Sequence, residues 1–376
     1  MRARTHHAPL CVTVALAATL AVSACAPPAS NSSGSGSSKG ASSATSAKDL
    51  GGMDQLAAAA KKEGTLNVIA LPPDWANYGA IIKAFSDKYA IKVNSAQPDA
   101  SSADEITAAQ RLKGQSTAPD VFDLGAAVAN ANTTMFAPYK VATFDSIPAN
   151  LKDASGTWVN DYGGYMSIGY DSSKVPAPTS VADLLKPAYK GKVALNGDPT
   201  KAGAAFAGVQ MVSLASGGTV SDVAKGVDFF KKLKAAGNFL PVDPTPATIA
   251  SGQTPVVFDW DYLNAAQTAK VKNWKVFVPQ NAVLGGYYVQ AVNKDAPHPA
   301  AARLWQEFLY SDAGQNLWLK GLARPVRFDD MKKAGTLDQT AAAALPTVSG
   351  TPTIPTKDES ATAKAYLAAN WANAIG

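Results

Sequence analysis

The stretch that decides the fold runs from Thr254 to Leu263 and reads T-P-V-V-F-D-W-D-Y-L. Its apolar part, Pro255 to Phe258, follows a turn signal and predicts a strand that is buried on both faces. The strand ends in two acids and two aromatic residues, and a helical pattern follows at once from Tyr262 to Lys272. In open α/β sheets, ligands lie outside the carboxyl ends of strands. The stretch therefore predicts a strand-to-helix junction whose carboxylates and rings contact a small molecule.

A purely structural role is the alternative for this junction. Asp259 or Asp261 would then cap the helix, and Trp260 would fill a core. Unpaired carboxylates seldom cluster at the end of a buried strand unless they have a function. This favours ligand contact by at least one of Asp259, Trp260, Asp261 and Tyr262.

The composition indicates a large globular protein. The chain has 376 residues, of which 47% are hydrophobic and 17% are charged, and this is enough for two lobes. The formal net charge is +5. The densest basic run, Lys231, Lys232 and Lys234, fits a solvated helix face, so nucleic acid is not an expected partner.

Cysteine and histidine lie almost entirely at the N-terminus. The cysteines are Cys11 and Cys25, and His298 is the one histidine beyond the first seven residues. This distribution excludes a disulfide framework, a thiolate nucleophile and a multi-histidine metal site in the folded part. We expect no cofactor and no resident metal.

The N-terminal segment reads as an export signal followed by a tether. Residues 1–24 have a basic start, an apolar middle and small residues before Cys25, and they predict a signal peptide. Val22-Ser23-Ala24-Cys25 resembles the lipobox of bacterial lipoproteins, which implies lipidation of Cys25; an ordinary cleavage site is the alternative. Residues 25–52, rich in Ser and Gly, predict a flexible tether. The protein is thus expected at the outer face of the cell membrane.

The order of predicted elements indicates an α/β protein with two lobes. Strand and helix patterns alternate from residue 66 to 124, which predicts a mostly parallel sheet. Extended crossings are predicted near 160–170 and 285–292, with further βα units between them. The expected organisation is lobe 1 over 53–165, lobe 2 over 166–285, and a return to lobe 1 with closing helices over 286–376. A ligand would lie in the cleft between the lobes.

One segment resembles a known family closely. Residues 180–191, S-V-A-D-L-L-K-P-A-Y-K-G, resemble S-W-x-D-L-W-x-P-x-Y-K-G of the extracellular solute-binding proteins of ABC importers. Ile168 to Asp171 resembles the first hinge strand of that family, and Arg303 to Leu309 a late helix. The resemblance covers about residues 55–345 and points to the branch that binds polyamines, ferric ion, thiamine or phosphorylated solutes. It implies a periplasmic-binding-protein-like type II fold, an ABC permease as partner, a monomer and no enzymatic activity.

Only some of the ligand-binding positions of the family that the chain resembles have a matching residue in this chain. The polyamine-binding loop N-W-T-E-Y corresponds to residues 74–78, D-W-A-N-Y, so Asn77 stands in place of an acid. Asp198 keeps one acid of the family, Asp259 stands in place of a Trp, and Gln290 replaces another acid. Together with the strand ends, this predicts a ligand-binding set of Trp75, Asn77, Tyr78, Ser101, Ser102, Asp198, Thr200, Asp259, Trp260, Asp261, Tyr262, Tyr287 and Tyr288. Helix capping is the alternative for Ser101, Ser102 and Thr200.

Aromatic faces beside carboxylates favour a cationic amine as the solute. A phosphorylated or phosphonate solute, held by the backbone N–H groups of residues 200–203, is the second possibility. Ferric ion is the third, and stacking on a sugar also stays open. An extracytoplasmic hydrolase using Asp259 and Asp261 as an acid–base pair is the alternative class, although no nucleophile–base pair accompanies them. A sensor subunit that presents the liganded state to a membrane receptor is a further alternative.

Overall fold

The computed structural model describes residues 38–375, in which ten strands alternate with fourteen helices. The strands are β1 (Thr65–Ile69), β2 (Lys92–Ala96), β3 (Val121–Gly125), β4 (Phe136–Ala137), β5 (Val159–Asp171), β6 (Val193–Leu195), β7 (Val256–Trp260), β8 (Trp274–Phe277), β9 (Gly285–Asn293) and β10 (Arg324–Pro325). The helices are α1 (Ser38–Ser43), α2 (Met53–Glu63), α3 (Tyr78–Tyr89), α4 (Ser102–Arg111), α5 (Ala126–Ala131), α6 (Gly203–Ala215), α7 (Ala224–Ala235), α8 (Pro246–Ala250), α9 (Asp261–Gln267), α10 (Pro299–Leu309), α11 (Asp312–Lys320), α12 (Phe328–Ala334), α13 (Gln339–Ala343) and α14 (Lys357–Ile375). Short 3-10 helices cover Ala47–Leu50, Thr133–Met135, Phe144–Ser146, Ala149–Leu151, Val181–Leu185 and Pro187–Tyr189. Within residues 38–375, no helix combines the length and hydropathy needed to cross a membrane.

The strand predicted in the opening stretch is confirmed as β7. Val256, Val257 and Phe258 are completely buried, as expected for a strand covered on both faces. β7 pairs with β6 in parallel and with β5 in antiparallel orientation. Helix α9 begins directly after it at Asp261 but ends at Gln267, five residues before the predicted end.

The sheet is mixed, and the expectation of a mostly parallel sheet is wrong. Among the described strand pairs only β1–β2 and β6–β7 are parallel. The reason is that β5 and β9 run antiparallel to each other and to their main partners, and they supply most of the pairs.

Strand β5 connects two groups of strands. Its first half pairs with β9 and β10, and its second half, from Met166, pairs with β7 and β8. We call β3, β4, β9 and β10 the β9 group, and β6, β7 and β8 the β7 group. The extended crossings predicted near 160–170 and 285–292 are therefore present as β5 and β9.

The chain is folded from residue 38, which differs from the flexible tether expected through residue 52. Helix α1 packs on α10 and the following 3-10 helix packs on α2, with Ala41 and Ala44 buried. The buried Arg303 of α10 donates from Nε to the carbonyl of Ala44 and from Nη2 to that of Ser42, both at 2.8 Å. The small side chains of this segment let it approach α10 closely. The guanidinium group of Arg303 donates a third hydrogen bond to the carbonyl of Pro299, and the three bonds stabilise the arrangement. The predicted signal peptide and Cys25 lie outside the described residues.

The C-terminal helix α14 contacts elements of both strand groups. It packs against α5, which follows β3, and against α7. Its buried residues, Ser360, Ala363, Leu367 and Trp371, recur at helical spacing. Trp371 meets the ring of Phe230 on α7 at 5.4 Å between centroids.

Candidate functional site

A cavity of about 450 Å³ lies where loops after β1 and β2 and the end of β3 face loops of the β7 group. One wall comes from the loops after β1 and β2 and from the end of β3, and the other from the loops after β6 and before α8 and from the β7–α9 junction. This volume falls in the range of small-molecule sites. We call this cavity the acidic cleft.

The lining of the cleft is strongly acidic. Lys201 is the one basic residue among the described residues that line it. The acids of the lining are Asp74, Asp99, Asp104, Glu105, Asp123, Asp198, Asp243 and Asp259. Such an excess of one sign concentrates solutes of the opposite charge.

Asp259 ends β7 inside the cleft with a buried carboxylate. Its Oδ2 accepts a hydrogen bond from Nδ2 of Asn196 at 2.9 Å, and its Oδ1 accepts one from the backbone N–H of Trp260 at 2.8 Å. Burial nevertheless raises the pKa of Asp259 to about 7, because these two bonds only partly replace the lost water. A cation placed here would stabilise the ionised form.

Glu105 and Asp123 form a second buried carboxyl pair in the cleft wall. Oδ2 of Asp123 accepts from the hydroxyls of Tyr78 at 2.7 Å and Tyr162 at 3.1 Å, and the backbone N–H of Asp123 donates to Oε2 of Glu105 at 3.1 Å. The remaining oxygens, Oδ1 of Asp123 and Oε1 of Glu105, are buried and accept no hydrogen bond from a described residue. Burial raises the pKa of Asp123 to about 7 and that of Glu105 well above its ordinary value.

The sequence reasoning missed Glu105 and Asp123. The spacing of Ser102 and Glu105 suggests a capping box, but the residues that form it are Ser101 and Asp104. This frees Glu105 to turn inward. Asp123 could have been found, because it lies near the carboxyl end of a fully buried strand, as Asp259 does.

Two rings close the apolar side of the cleft. Trp75 stands edge-on to Tyr288 with centroids 5.7 Å apart, and its Nε1 donates to the hydroxyl of Tyr162 at 2.7 Å. This bond fixes the indole, so that it forms a preorganised wall next to the carboxylates.

The structure brings six of the thirteen predicted residues into the cleft lining: Trp75, Ser101, Ser102, Asp198, Asp259 and Tyr288. Three others, Thr200, Trp260 and Tyr287, line a second cavity together with Tyr288. Asn77, Tyr78, Asp261 and Tyr262 line neither cavity.

The side chains of three of the four residues that lie away from both cavities form structural hydrogen bonds, and the hydroxyl of Tyr262 is buried without a partner among the described residues. Asn77 donates from Nδ2 to the carbonyl of Leu317, and Tyr78 is fully buried against Asp123. Asp261 accepts from the backbone N–H of Tyr165 at 2.9 Å, and burial raises its pKa to about 6.

Asp259 and Asp261 diverge because the helix begins between them. Two acids at positions i and i+2 of a strand would face the same way, but Asp261 is already the first residue of α9. The ring of Tyr262 packs in the core beside Trp75 and Trp260. The paired acid–base geometry of a hydrolase is therefore not formed by these two acids.

Two serines and Asp198 bind backbone groups beside the cleft. Oγ of Ser101 caps α4 by accepting from the N–H of Asp104, and Oγ of Ser102 accepts from the N–H of Gly125 at 3.0 Å. Asp198 accepts from the N–H and the hydroxyl of Thr200. The capping alternative thus describes Ser101 well.

The two sides of the cleft touch each other at two places. Nζ of Lys270 and Oδ2 of Asp74 form an exposed ion pair at 3.0 Å. Gly125 at the end of β3 meets Gly203 at the start of α6 so closely that a Cβ on Gly203 would lie 2.9 Å from the Cα of Gly125. This glycine contact lies where the acidic cleft adjoins the second cavity, since four residues line both, Gly203 among them.

No group of three or more His, Cys, Asp or Glu side chains within the described part of the chain is arranged to hold a metal ion.

Comparison with known proteins identifies the fold and the family. Residues 118–348 match the family described as bacterial extracellular solute-binding protein. No curated protein matches the chain.

Solved structures with the same fold share little sequence with this chain. AgtB from A. tumefaciens R10, in complex with agropinic acid, is similar with a TM-score of 0.65 and 16% identity, covering 83% of this chain and 98% of that one. A putative spermidine/putrescine ABC transporter from Listeria monocytogenes gives 0.62 and 13%, covering 82% and 99%. A periplasmic thiamin binding protein gives 0.64 and 18%, covering 83% and 96%.

Proposed function

The chain belongs to the family of bacterial extracellular solute-binding proteins, and on that premise we propose that it captures a small cationic amine outside the cytoplasmic membrane and delivers it to the permease of an ABC importer. Polyamine-like solutes are the expected class. Export by residues 1–24 and lipidation of Cys25 are part of the proposal, and they rest on the sequence pattern alone. The proposed monomeric state also rests on the sequence alone.

The observation that favours an amine as the solute is a pair of buried carboxylate oxygens without hydrogen-bond partners. Oδ1 of Asp123 and Oε1 of Glu105 lie in the cleft wall, where an unsatisfied buried acceptor costs about 1–3 kcal/mol. An ammonium group donates up to three charge-assisted hydrogen bonds and would satisfy these oxygens together with Asp259. Trp75 and Tyr288 add ring faces, each worth roughly 0.5–2 kcal/mol with a cation.

Closure of the cleft fits a binding role. The contact Lys270–Asp74 joins the loop before β8 to the loop after β1, and Gly125–Gly203 joins the β7 group to the β9 group. We propose that lobe 2 (166–285) rotates about β5 and β9 against lobe 1, which consists of 53–165 and the return segment 286–376. A solute that contacts both sides stabilises the joined form, which the permease would recognise. The change of pairing partner at Met166 supports the boundary between the lobes.

A thermal-shift and calorimetry panel tests the proposal. Residues 26–376 should be used, because the segment that begins at residue 38 packs on α10 and α2. We expect putrescine, spermidine or thiamine to raise the melting temperature, whereas phosphorylated sugars and ferric citrate should not.

Asp259→Asn is the variant that links binding to the cleft, and Asp228→Asn, the same change on the exposed face of α7, is its control. We expect at least a tenfold loss of amine affinity in the first and none in the second, because the ammonium loses a charged partner. If phosphorylated solutes alone stabilise the protein, the amine proposal is wrong while the solute-binding role stands. Turnover of a bound solute that depends on Asp259 would instead indicate a hydrolase.

A further inference from the structure

The second cavity differs from the acidic cleft in both charge and polarity. It has a volume of about 210 Å³ and lies between α5, α6, the first half of β9 and the start of α14. None of the described residues that line it is acidic, and three are lysines: Lys201, Lys357 and Lys364. Two neighbouring cavities with opposite charge would select different solutes.

Of the three lysines, Lys364 is the one best placed to bind an anion in this cavity. It lies on the inner side of α14, one residue after the buried Ala363, and it is partly buried. None of the described residues forms a hydrogen bond or an ion pair with its ammonium group. Burial lowers the pKa of Lys364, and no carboxylate offsets that effect. A carboxylate entering the cavity would supply the missing partner.

The rest of the wall is apolar and aromatic. Trp158, Phe206, Leu284 and Tyr287 line it, and Phe206 and Leu284 are almost completely buried. At the rim stands Ile354, which is 46% exposed and is one of the two large hydrophobic side chains left exposed among the described residues. Such a wall suits a ring or a branched alkyl group.

The size of the cavity limits the ligand. An apolar cavity of about 150 Å³ holds benzene, so about 210 Å³ admits a benzene ring with a short acidic side chain. We propose that this cavity is a second binding site, specific for a small aryl carboxylate whose ring packs on Trp158 and Phe206 and whose carboxylate pairs with Lys364. The site is distinct from the one proposed for the amine, because Lys364, Trp158 and Phe206 line this cavity and do not line the acidic cleft.

Phenylacetate is a suitable probe, measured by calorimetry and by ligand-observed NMR on residues 26–376. Phenylacetamide has the same shape without the charge, and phenethylamine reverses the charge. We expect phenylacetate to bind at least tenfold more tightly than phenylacetamide, and phenethylamine not to compete with it. Equal binding of the acid and the amide, or no binding of the acid at millimolar concentration, overturns the proposal.

Lys364→Met removes the charge and keeps the length of the apolar stem, and Lys61→Met makes the same change on the exposed face of α2. Phenylacetate affinity should fall at least tenfold in the first and stay unchanged in the second. Asp259→Asn should leave phenylacetate affinity unchanged, so a failure of amine binding in the cleft is distinguishable from a failure here. If phenylacetate binding depends on Asp259 and not on Lys364, the ligand occupies the acidic cleft and the second site does not exist. The comparison of acid with amide on the unmodified chain decides the matter even if Lys364→Met fails to fold.

Discussion

At the scale of single residues, buried acids set the properties of the cleft. Asp123 and Asp259 both have a pKa of about 7 because burial disfavours the charged carboxylate. An ammonium ion in the cleft would reverse that effect, since it favours the ionised form. Amine binding and proton loss are therefore coupled.

We predict that amine binding releases more protons near pH 6 than near pH 8.5, because Asp123 and Asp259 are largely ionised at the higher pH. Below pH 7 the ligand-free carboxyls carry protons that the cation displaces, so the affinity should fall by up to about tenfold per pH unit and per displaced proton. Calorimetry in buffers of different ionisation enthalpy counts these protons. Asp259→Asn should lower the count and Asp228→Asn should not. A count of zero at pH 6 in the unmodified protein would contradict the coupling.

Residues at the junction show where sequence reasoning succeeds and fails. The position of Asp259 follows from an apolar run that ends in polar residues, and that signal is local. The orientation of Tyr262 and Asp261 depends on where α9 begins, and one residue of difference turns a side chain away. Glu105 faces the cleft because Ser101 takes the capping role from Ser102, which a spacing rule cannot distinguish.

At the scale of elements, helix α3 has a non-glycine residue in the left-handed conformation next to each of its ends. Ala90 follows α3 with φ 54°, and Asn77 precedes it with φ 70°. The left-handed region costs an L-residue roughly 1–2 kcal/mol compared with glycine. The N–H of Ala90 closes the helix by donating to the carbonyl of Ser86, so the conformation itself is useful.

We predict that Ala90→Gly raises the free energy of unfolding by about 0.5–1 kcal/mol. Ala90 is exposed, so little packing is lost, and glycine adopts the required φ freely, although part of the gain is offset by the greater entropy of glycine in the unfolded chain. Ala58→Gly, at an exposed interior position of α2, should instead lower the stability by about 1 kcal/mol. Urea denaturation measures both. Equal losses in the two variants would show that the strain at Ala90 is not relieved.

The crossing strands were predictable and the N-terminal segment was not. β5 and β9 carry continuous extended patterns at both hinge positions, so their bounds agree with the sequence within a few residues. Residues 38–50 are rich in Ser, Gly and Ala and look like a linker. They are ordered by a distant partner, Arg303, and long-range hydrogen bonds of this kind leave no local signature.

At the scale of the whole molecule, several buried carboxyls act together on stability. Burial raises the pKa of Asp123, Asp259 and Asp261 above their unfolded values. A group with a raised folded pKa stabilises the protein below its unfolded pKa, and this contribution is lost as the pH rises through the folded pKa. His298 also makes the protein more stable at low pH than at high pH, because its hydrogen bond with Asp120 raises its pKa.

We predict that the ligand-free protein is less stable at pH 8 than at pH 5.5. Each proton held in excess by the folded state contributes about 1.4 kcal/mol per pH unit, and the window follows from pKa values of about 6 to 7. The acids with lowered pKa, such as Asp183, titrate below this window. Urea denaturation at both pH values measures the difference, and Asp259→Asn should reduce it. A protein that becomes more stable from pH 5.5 to 8 would contradict the assigned protonation.

We predict that Gly203→Ala lowers amine affinity about tenfold by preventing full approach of the two sides of the cleft. The added Cβ would lie 2.9 Å from the Cα of Gly125, and overpacking of this kind costs about 1–3 kcal/mol. Gly40→Ala, where an added Cβ meets nothing within 4 Å, is the matched control. Calorimetry gives the affinity, and small-angle scattering should show a larger radius for Gly203→Ala. Unchanged affinity would show that the contact is not needed for binding.

Gly203 touches Gly125 and lines both cavities, so the two cavities share part of one wall. A movement of the strand groups that releases an amine from the acidic cleft would also open one wall of the second cavity. If both proposed sites bind their ligands, each ligand would stabilise the approach on which the other depends, and by thermodynamic reciprocity each would raise the affinity of the other by the same factor. An importer subunit arranged in this way would respond to a combination of two solutes rather than to either one alone.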